Sequence, residues 1–457
     1  MDNNTTIEDD GVTLDIFGQQ VLPIYTQICF GFPITSDESY LRAIKTLETA
    51  MEKLYVQFPW LSGRVVNEGA TTSSSGIFKI KPRPQGEDAR LFVKDLRNEP
   101  SFQSFAILRS AGFPIDALDE DLLAPRRTLM SADHSSEVFL VQATLIGKGL
   151  LLTFLGHHQA MDGIGQDHVI RLFSKACRNG DFTEEERLVG KLTSSNTLPL
   201  LDESFELPPA LEYQIVEKQS PSSHPRAQIS AACSWASFSF DNSSLKRLKA
   251  VAARELSPTS FISTDDALSA FIWKSVTSVR LARLSASTPS TFARAVDVRS
   301  MLGISTLNPG FVQNMTYNTL TFQELVEKPL GALASHLRSK VDPKTSTLAH
   351  DTRALATFLS YTPDKSCVSF AASIKGTSDI FFSSWAKMRC YGYDFGPNLG
   401  KAEVIRRTKS HNMTEGLMYL MPRSPEGEIG LVICLSDEDL AALRTDEEFL
   451  RFAEFVG

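Results

Sequence analysis

The sequence predicts a mixed α/β protein, with sheets of mixed strand direction carrying packed helices in two layers. Three observations lead there. Strand-sized apolar runs and amphipathic helical stretches alternate irregularly, without the strict βαβ succession of a Rossmann or barrel fold. No apolar run approaches the ~18 residues of a membrane-spanning helix, and the longest, Leu150 to Leu155 and Ile429 to Leu435, are strand-sized. A Ser/Pro-rich stretch of little periodicity separates residues 1–185 from 231–457 and reads as a linker over 186–230.

The elements follow in order. Ile24 to Phe32 is β-branched and aromatic and reads as a strand. Thr35, three residues ahead of Glu38, offers a capping box for an amphipathic helix with Leu41, Ile44, Leu47, Met51, Leu54 and Phe58 inward, ended by Pro59. Val138 to Leu145 and Leu150 to Leu155 are apolar runs joined by Gly147-Lys148-Gly149, a hairpin signal. The second run leads directly into GHHQAMDG, after which Val169, Ile170, Phe173, Ala176 and Cys177 keep helical spacing up to Arg178-Asn179-Gly180. The histidines therefore lie on a strand-to-helix loop. Beyond the linker, Cys233 to Phe240 alternates as a strand, and Leu245, Leu248 and Val251 mark a helix. Asp265 to Val279 is a second helix, capped by Ser263 or Thr264. Strands return at Asp379 to Ser383, Gly416 to Met421 and Glu428 to Leu435, before a helix over Asp437 to Leu443.

Composition narrows the function. Lys and Arg number 46 against 54 Asp and Glu, a net charge of −8 with both signs dispersed, which argues against a nucleic-acid partner. The start, MDNNTTIEDDG, lacks the positive region and apolar stretch of a secretory signal and reads as the frayed end of a cytoplasmic protein. The six cysteines show no CxxC spacing, which sets aside zinc frameworks and a disulfide scaffold; Cys29 and Cys434 sit in apolar runs and read as core.

The sharpest chemistry is in His157-His158-Gln159-Ala160-Met161-Asp162-Gly163. An imidazole on a tight turn can take a proton from a nucleophile while a nearby carboxylate fixes the turn. Metal ligation is the weaker reading, because adjacent strand histidines point to opposite faces and no third His is in reach; no metal site is expected. GxSxG, GxGxxG and GxxxxGK[ST] are all absent, which removes a serine elbow, dinucleotide enzymes and P-loop NTPases.

HHQAMDG resembles the HxxxDG motif of the CoA-dependent BAHD acyltransferase superfamily. Other stretches match that family in order: FPWLSGR (58–64), STDDALSAFIWK (263–274), AVDVRS (295–300), NPGFVQN ending at Asn314, SSW (383–385) and DFGPNLGK (394–401). The last departs from the plant DFGWG signature and, followed by AEVIRR, looks closer to the fungal branch typified by trichothecene 3-O-acetyltransferase.

The resemblance implies two similar-sized chloramphenicol-acetyltransferase-like domains, 1–185 and 231–457, with a channel between them. Acyl-CoA, with acetyl as the default donor, would be a cosubstrate and not a resident cofactor. The acceptor would be a hydroxyl of a terpenoid, alkaloid or polyketide, and the enzyme a monomer. By the same resemblance His158 is the general base, and Asp162 pairs with Arg299 to hold the loop. Gly163, Asp394 and Gly396 support the site structurally. Lys246, Lys249, Ser263, Thr264, Ser383 and Trp385 are the expected CoA contacts, and His157 and Asn314 are expected along the substrate channel. The alternatives are an amide-forming enzyme, either an N-acyltransferase or a stand-alone condensation domain, and a non-catalytic binding protein on the same scaffold.

Overall fold

The structure is a computed structural model that describes residues 11–20, 22–83, 91–130, 136–192, 197–202, 204–216, 232–254, 256 and 260–457. The SPSSHP part of the expected linker lies outside these. Two sheets organise the chain. The first-half sheet has the order Val404–Arg406, Tyr25–Pro33, Gly149–His157, Phe139–Ile146, Phe92–Asp95, with only the last pair parallel. The second-half sheet has seven strands, and Ile380–Ser384 runs parallel to both its neighbours, Pro289–Asp297 and Leu417–Leu420. A small three-stranded sheet of 12–13, 64–68 and 77–81 stands beside them.

The hairpin forms as expected. Ile146 pairs with Gly149, so Gly147 and Lys148 make a two-residue turn, with Lys148 at φ 62°. The Asp37–Gln57 helix buries Leu47, Met51 and Leu54 as expected, but near its start Leu41 is 74% exposed, while Tyr40 and Ala43 are buried. Tyr40 takes the inward place there, its hydroxyl donating to Ile146 O at 2.6 Å and accepting from Gly149 N at 3.0 Å, clamping the hairpin. Its cap is Ser36, which accepts from Ser39 N, and not Thr35.

The DFGPNLGK segment departs from its expected place in a separate C-terminal domain. Phe395 sits in the first-half core, edge-on to Phe30 and Phe32 at 5.7 and 5.2 Å, and Val404–Arg406 continues that half's sheet. Burial of a large aromatic ring outweighs the segment's position in the chain. The crossover changes halves along its length: Glu186 pairs with Arg171 and Lys175 and Gly190 O accepts from Trp60 Nε1 on the first half, whereas further on Leu201 N donates to Thr357 Oγ1 and Gln214 Nε2 to Asn314 Oδ1 on the second.

Candidate active site

The motif is read off the end of a buried strand. Gly149–His157 pairs on both sides, so consecutive side chains are forced to opposite faces. His157 turns inward, edge-on to Tyr25 at 5.7 Å, and burial pulls its pKa down to about 3. His158 turns the other way. Its Nδ1 lies 3.1 Å from Met161 O. A carbonyl can only accept, so this contact assigns the proton to Nδ1 and leaves Nε2 with the lone pair of a base. Burial is the main influence holding its pKa below 6.5, and the positive charge of Arg407 adds to it; the Met161 carbonyl and Asp162 act in the opposite direction. The imidazole is therefore neutral at neutral pH.

Asp162 caps the Gly163–Cys177 helix and ties it to the other half. Oδ1 accepts from Gly165 N at 2.8 Å and Arg299 Nη2 at 3.0 Å; Oδ2 accepts from Arg299 Nη1 at 2.8 Å and Val312 N at 2.7 Å. Both side chains are buried. Arg299 donates further to Gly310 O, Asn308 O and Asp297, so one guanidinium fixes the loop that follows Pro289–Asp297. Gly165 is required here, since a Cβ would stand 2.1 Å from Pro309 O. A carboxylate this fully engaged holds geometry and is not available as a second acid.

Between the halves lies a cavity of about 1320 Å³, and His158 is on its wall. Tyr25, Thr26 and Ile164 come from the first half; Phe370, Ser383, Trp385 and Tyr419 from the second. That volume holds a ligand larger than an ordinary drug-sized one.

Comparison with known proteins decides the family. A model for the N-terminal domain of trichothecene 3-O-acetyltransferase-like proteins matches residues 24–177. An O-acetyltransferase of Cryptosporiopsis sp. is 46% identical over 453 residues, covering 97% of each chain. The trichothecene 3-O-acetyltransferase of Fusarium sporotrichioides is 44% identical over 463 residues, covering 100% of this chain and 99% of that one. The chain belongs to the trichothecene 3-O-acetyltransferase-like family. This is a fungal branch of the BAHD-like acyltransferases. A crystal structure of the F. graminearum enzyme, complexed with coenzyme A and deoxynivalenol, superposes with a TM-score of 0.91 at 40% identity, over 98% of this chain and 100% of that one.

On this family scaffold the expected site residues fall into three groups. His158, Asp162, Gly163, Ser263, Ser383 and Trp385 line the cavity, with Gly163 against Met388 and Trp385. Ser263 is already engaged in capping the Thr264–Arg280 helix, its hydroxyl donating to Asp266 at 2.7 Å. Asp394 and Gly396 make a tight turn off the wall: Asp394 accepts from Gly396 N at 2.9 Å, and Gly396, at φ 88°, lies where a Cβ would be 2.8 Å from Cys177 O. The third group is corrected. His157 is buried on the opposite face of its strand. Asn314 is buried among Gln214, Thr352 and the backbone N–H of Met315, while its neighbour Gln313 lines the cavity. Lys246, Lys249 and Thr264 are off the wall, because Leu245 and Leu248 turn the lysine helix's other face to the core; the Lys249 ammonium lies over Phe261 instead.

Sequence reasoning missed the cations that do line the cavity: Arg171, Arg294, Arg338, Lys387, Arg389 and Arg407. Lys387 and Arg389 were findable, since they follow the SSW motif directly. One metal-like cluster occurs among the described residues, Asp119, Asp121 and His411; it is off the wall, and Asp121 is already paired with Arg127.

Proposed function

We propose that the protein transfers an acyl group, acetyl by default, from CoA to a hydroxyl of an apolar fungal secondary metabolite, with His158 as general base. The observation that carries this reading is a neutral imidazole with a free Nε2, on the wall of a large cavity between two halves tied together by Asp162 and Arg299.

Nε2 takes the acceptor's hydroxyl proton as its oxygen attacks the thioester carbonyl carbon. A C–O bond forms and the carbonyl becomes an oxyanion. The C–S bond then breaks, and the imidazolium returns the proton to the thiolate, releasing CoA. No residue carries the acyl group, in keeping with the absent nucleophile motif. Lys387 and Arg389 are exposed at the cavity and form no ion pair among the described residues, which makes them the cations available to CoA's phosphates. Ser383 and Trp385 then border the pantetheine arm. Phe370 on the cavity wall, backed by the buried Phe311 that stacks on it at 6.0 Å and lies 5.2 Å from the His158 ring, gives the acceptor an apolar surface. The relatives are O-acetyltransferases, which favours a hydroxyl over an amine as acceptor. We further read the enzyme as a cytoplasmic monomer, to be checked by light scattering and by localising a tagged chain.

The deciding experiment supplies acetyl-CoA with deoxynivalenol, then with extracts of fungal metabolites, and follows thiol release and acylated products by mass. His158→Ala should lower turnover by about 10² to 10⁴. Undiminished transfer by that variant would sink the general-base reading.

A further inference from the structure

Among the described residues four arginines are buried, and three have carboxylate partners. Arg280 pairs with Asp439, Arg294 with Asp265 and Asp266, and Arg299 with Asp162 and Asp297. Arg407 differs. It is 3% exposed, its Nε is enclosed without an acceptor, and its guanidinium forms no ion pair or hydrogen bond among the described residues, lying 4.2 Å over the Tyr419 ring.

Its position is built. The preceding strand, Val404–Arg406, pairs with Tyr25–Pro33, and the following Thr408 donates to Gln27 Oε1 at 2.6 Å, while Tyr419 belongs to the second-half sheet. Arg407 thus presents a fixed cation to the cavity whose wall His158 shares, and its charge reaches that imidazole. The five carboxylates on the wall are all engaged elsewhere: Asp162 and Asp297 with Arg299, Asp167 with Cys390, Asp265 with Arg294, and Glu415 with Arg283. A buried cation without a counter-charge destabilises the free protein. Such an arrangement is retained where the reaction itself supplies the negative charge.

We propose that Arg407 is a further catalytic residue, its guanidinium hydrogen-bonding the thioester carbonyl oxygen as negative charge builds on it. This rests on the acyltransferase reading above. When the acceptor oxygen attacks, the carbonyl π pair moves onto oxygen and is met by a cation that stays protonated throughout. When the C–S bond breaks, the pair returns to re-form the carbonyl, and the proton on His158 goes to sulfur.

The test compares wild type, Arg407→Gln and Arg407→Lys, using acetyl-CoA with the hydroxyl acceptor that turns over in the screen begun with deoxynivalenol. Wild-type CoA release comes first; its absence would overturn the acyltransferase reading and the role of Arg407 with it. With wild-type turnover in hand, Arg407→Gln should lose about 10² to 10³ in kcat. The KM values for both substrates should change little, and Arg407→Lys should lose less. The acid limb of the rate profile should move up in Arg407→Gln, because the other charge acting on the His158 ring, Asp162, is already neutralised by Arg299. The thermal midpoint should hold or rise. A kcat within about threefold of wild type, a rise confined to the acceptor KM, or a lower midpoint with an unmoved acid limb would each overturn the proposal.

Discussion

Asp162→Asn isolates the tie between the halves while preserving side-chain size. The carboxylate accepts four hydrogen bonds, two from Arg299 and one each from Gly165 N and Val312 N, and both partners of the ion pair are fully enclosed. Asparagine still caps the helix, so the ~1 kcal/mol of a lost cap does not enter. What is lost is the charge facing a buried guanidinium, and one former acceptor becomes an NH₂ facing a donor. Removing one partner of a buried pair costs about 3–5 kcal/mol. With an unfolding entropy of about 2.1 cal/mol/K per residue, 457 residues give about 1 kcal/mol/K, so the midpoint should fall by about 3–5 °C. Calorimetry or circular dichroism reads the midpoint, and initial rates of CoA release read the loop. A double-mutant cycle with Arg299→Gln should show the two losses to be strongly non-additive. A midpoint within about 1 °C of wild type, together with turnover within about twofold, would refute the account of Asp162 as the holder of the loop.

The depressed pKa of His158 predicts a rate that stays flat as pH falls through 6.5 and declines only below it; an acid limb at or above 6.5 would contradict the burial argument. Stability should follow two other histidines, His157 and His168, held by burial at about 3 and about 4. Both folded values lie below the unfolded one, so their contribution is complete above pH 6.5 and is lost as the unfolded chain takes up protons first. By pH 5 each should have forfeited about 2 kcal/mol, measurable as a lower urea midpoint than at pH 7. Tyr40→Phe should destabilise by about 1–3 kcal/mol through the two hairpin hydrogen bonds it abandons, whereas Leu41→Glu should stay within about 0.5 kcal/mol; the reverse order would contradict the observed helix face.

Local signals were readable from sequence, and non-local ones were not. The Gly147-Lys148 turn, the Cys233–Phe240 strand and the Ser263 cap each depend on neighbours in the chain, and each lies where the pattern indicated. The motif loop was legible for the same reason. The pairing of Arg299 with Asp162 came only from resemblance, because no periodicity links residues so far apart. Strand parity separates His157 from His158 and Asn314 from Gln313, yet a loop motif does not show which parity faces the cavity. Tyr40 takes Leu41's place on the inner side of the helix's start, because two hydrogen bonds to a turn a hundred residues away hold it there. Arg407 carries no local mark at all; only the meeting of two sheets shows that it is enclosed and unpaired.

The strand Val404–Arg406 also bears on how the chain can be made. It covers the edge formed by Tyr25–Pro33, which stays open during synthesis until residues 404–406 have been made, long after the strand they cover. A fragment ending in the crossover would lack both that strand and the Phe395 ring, leaving an apolar sheet edge prone to pairing with another copy. The two halves are therefore not separable modules: splitting the gene at the linker should give aggregates, and co-expressing the pieces should restore soluble protein.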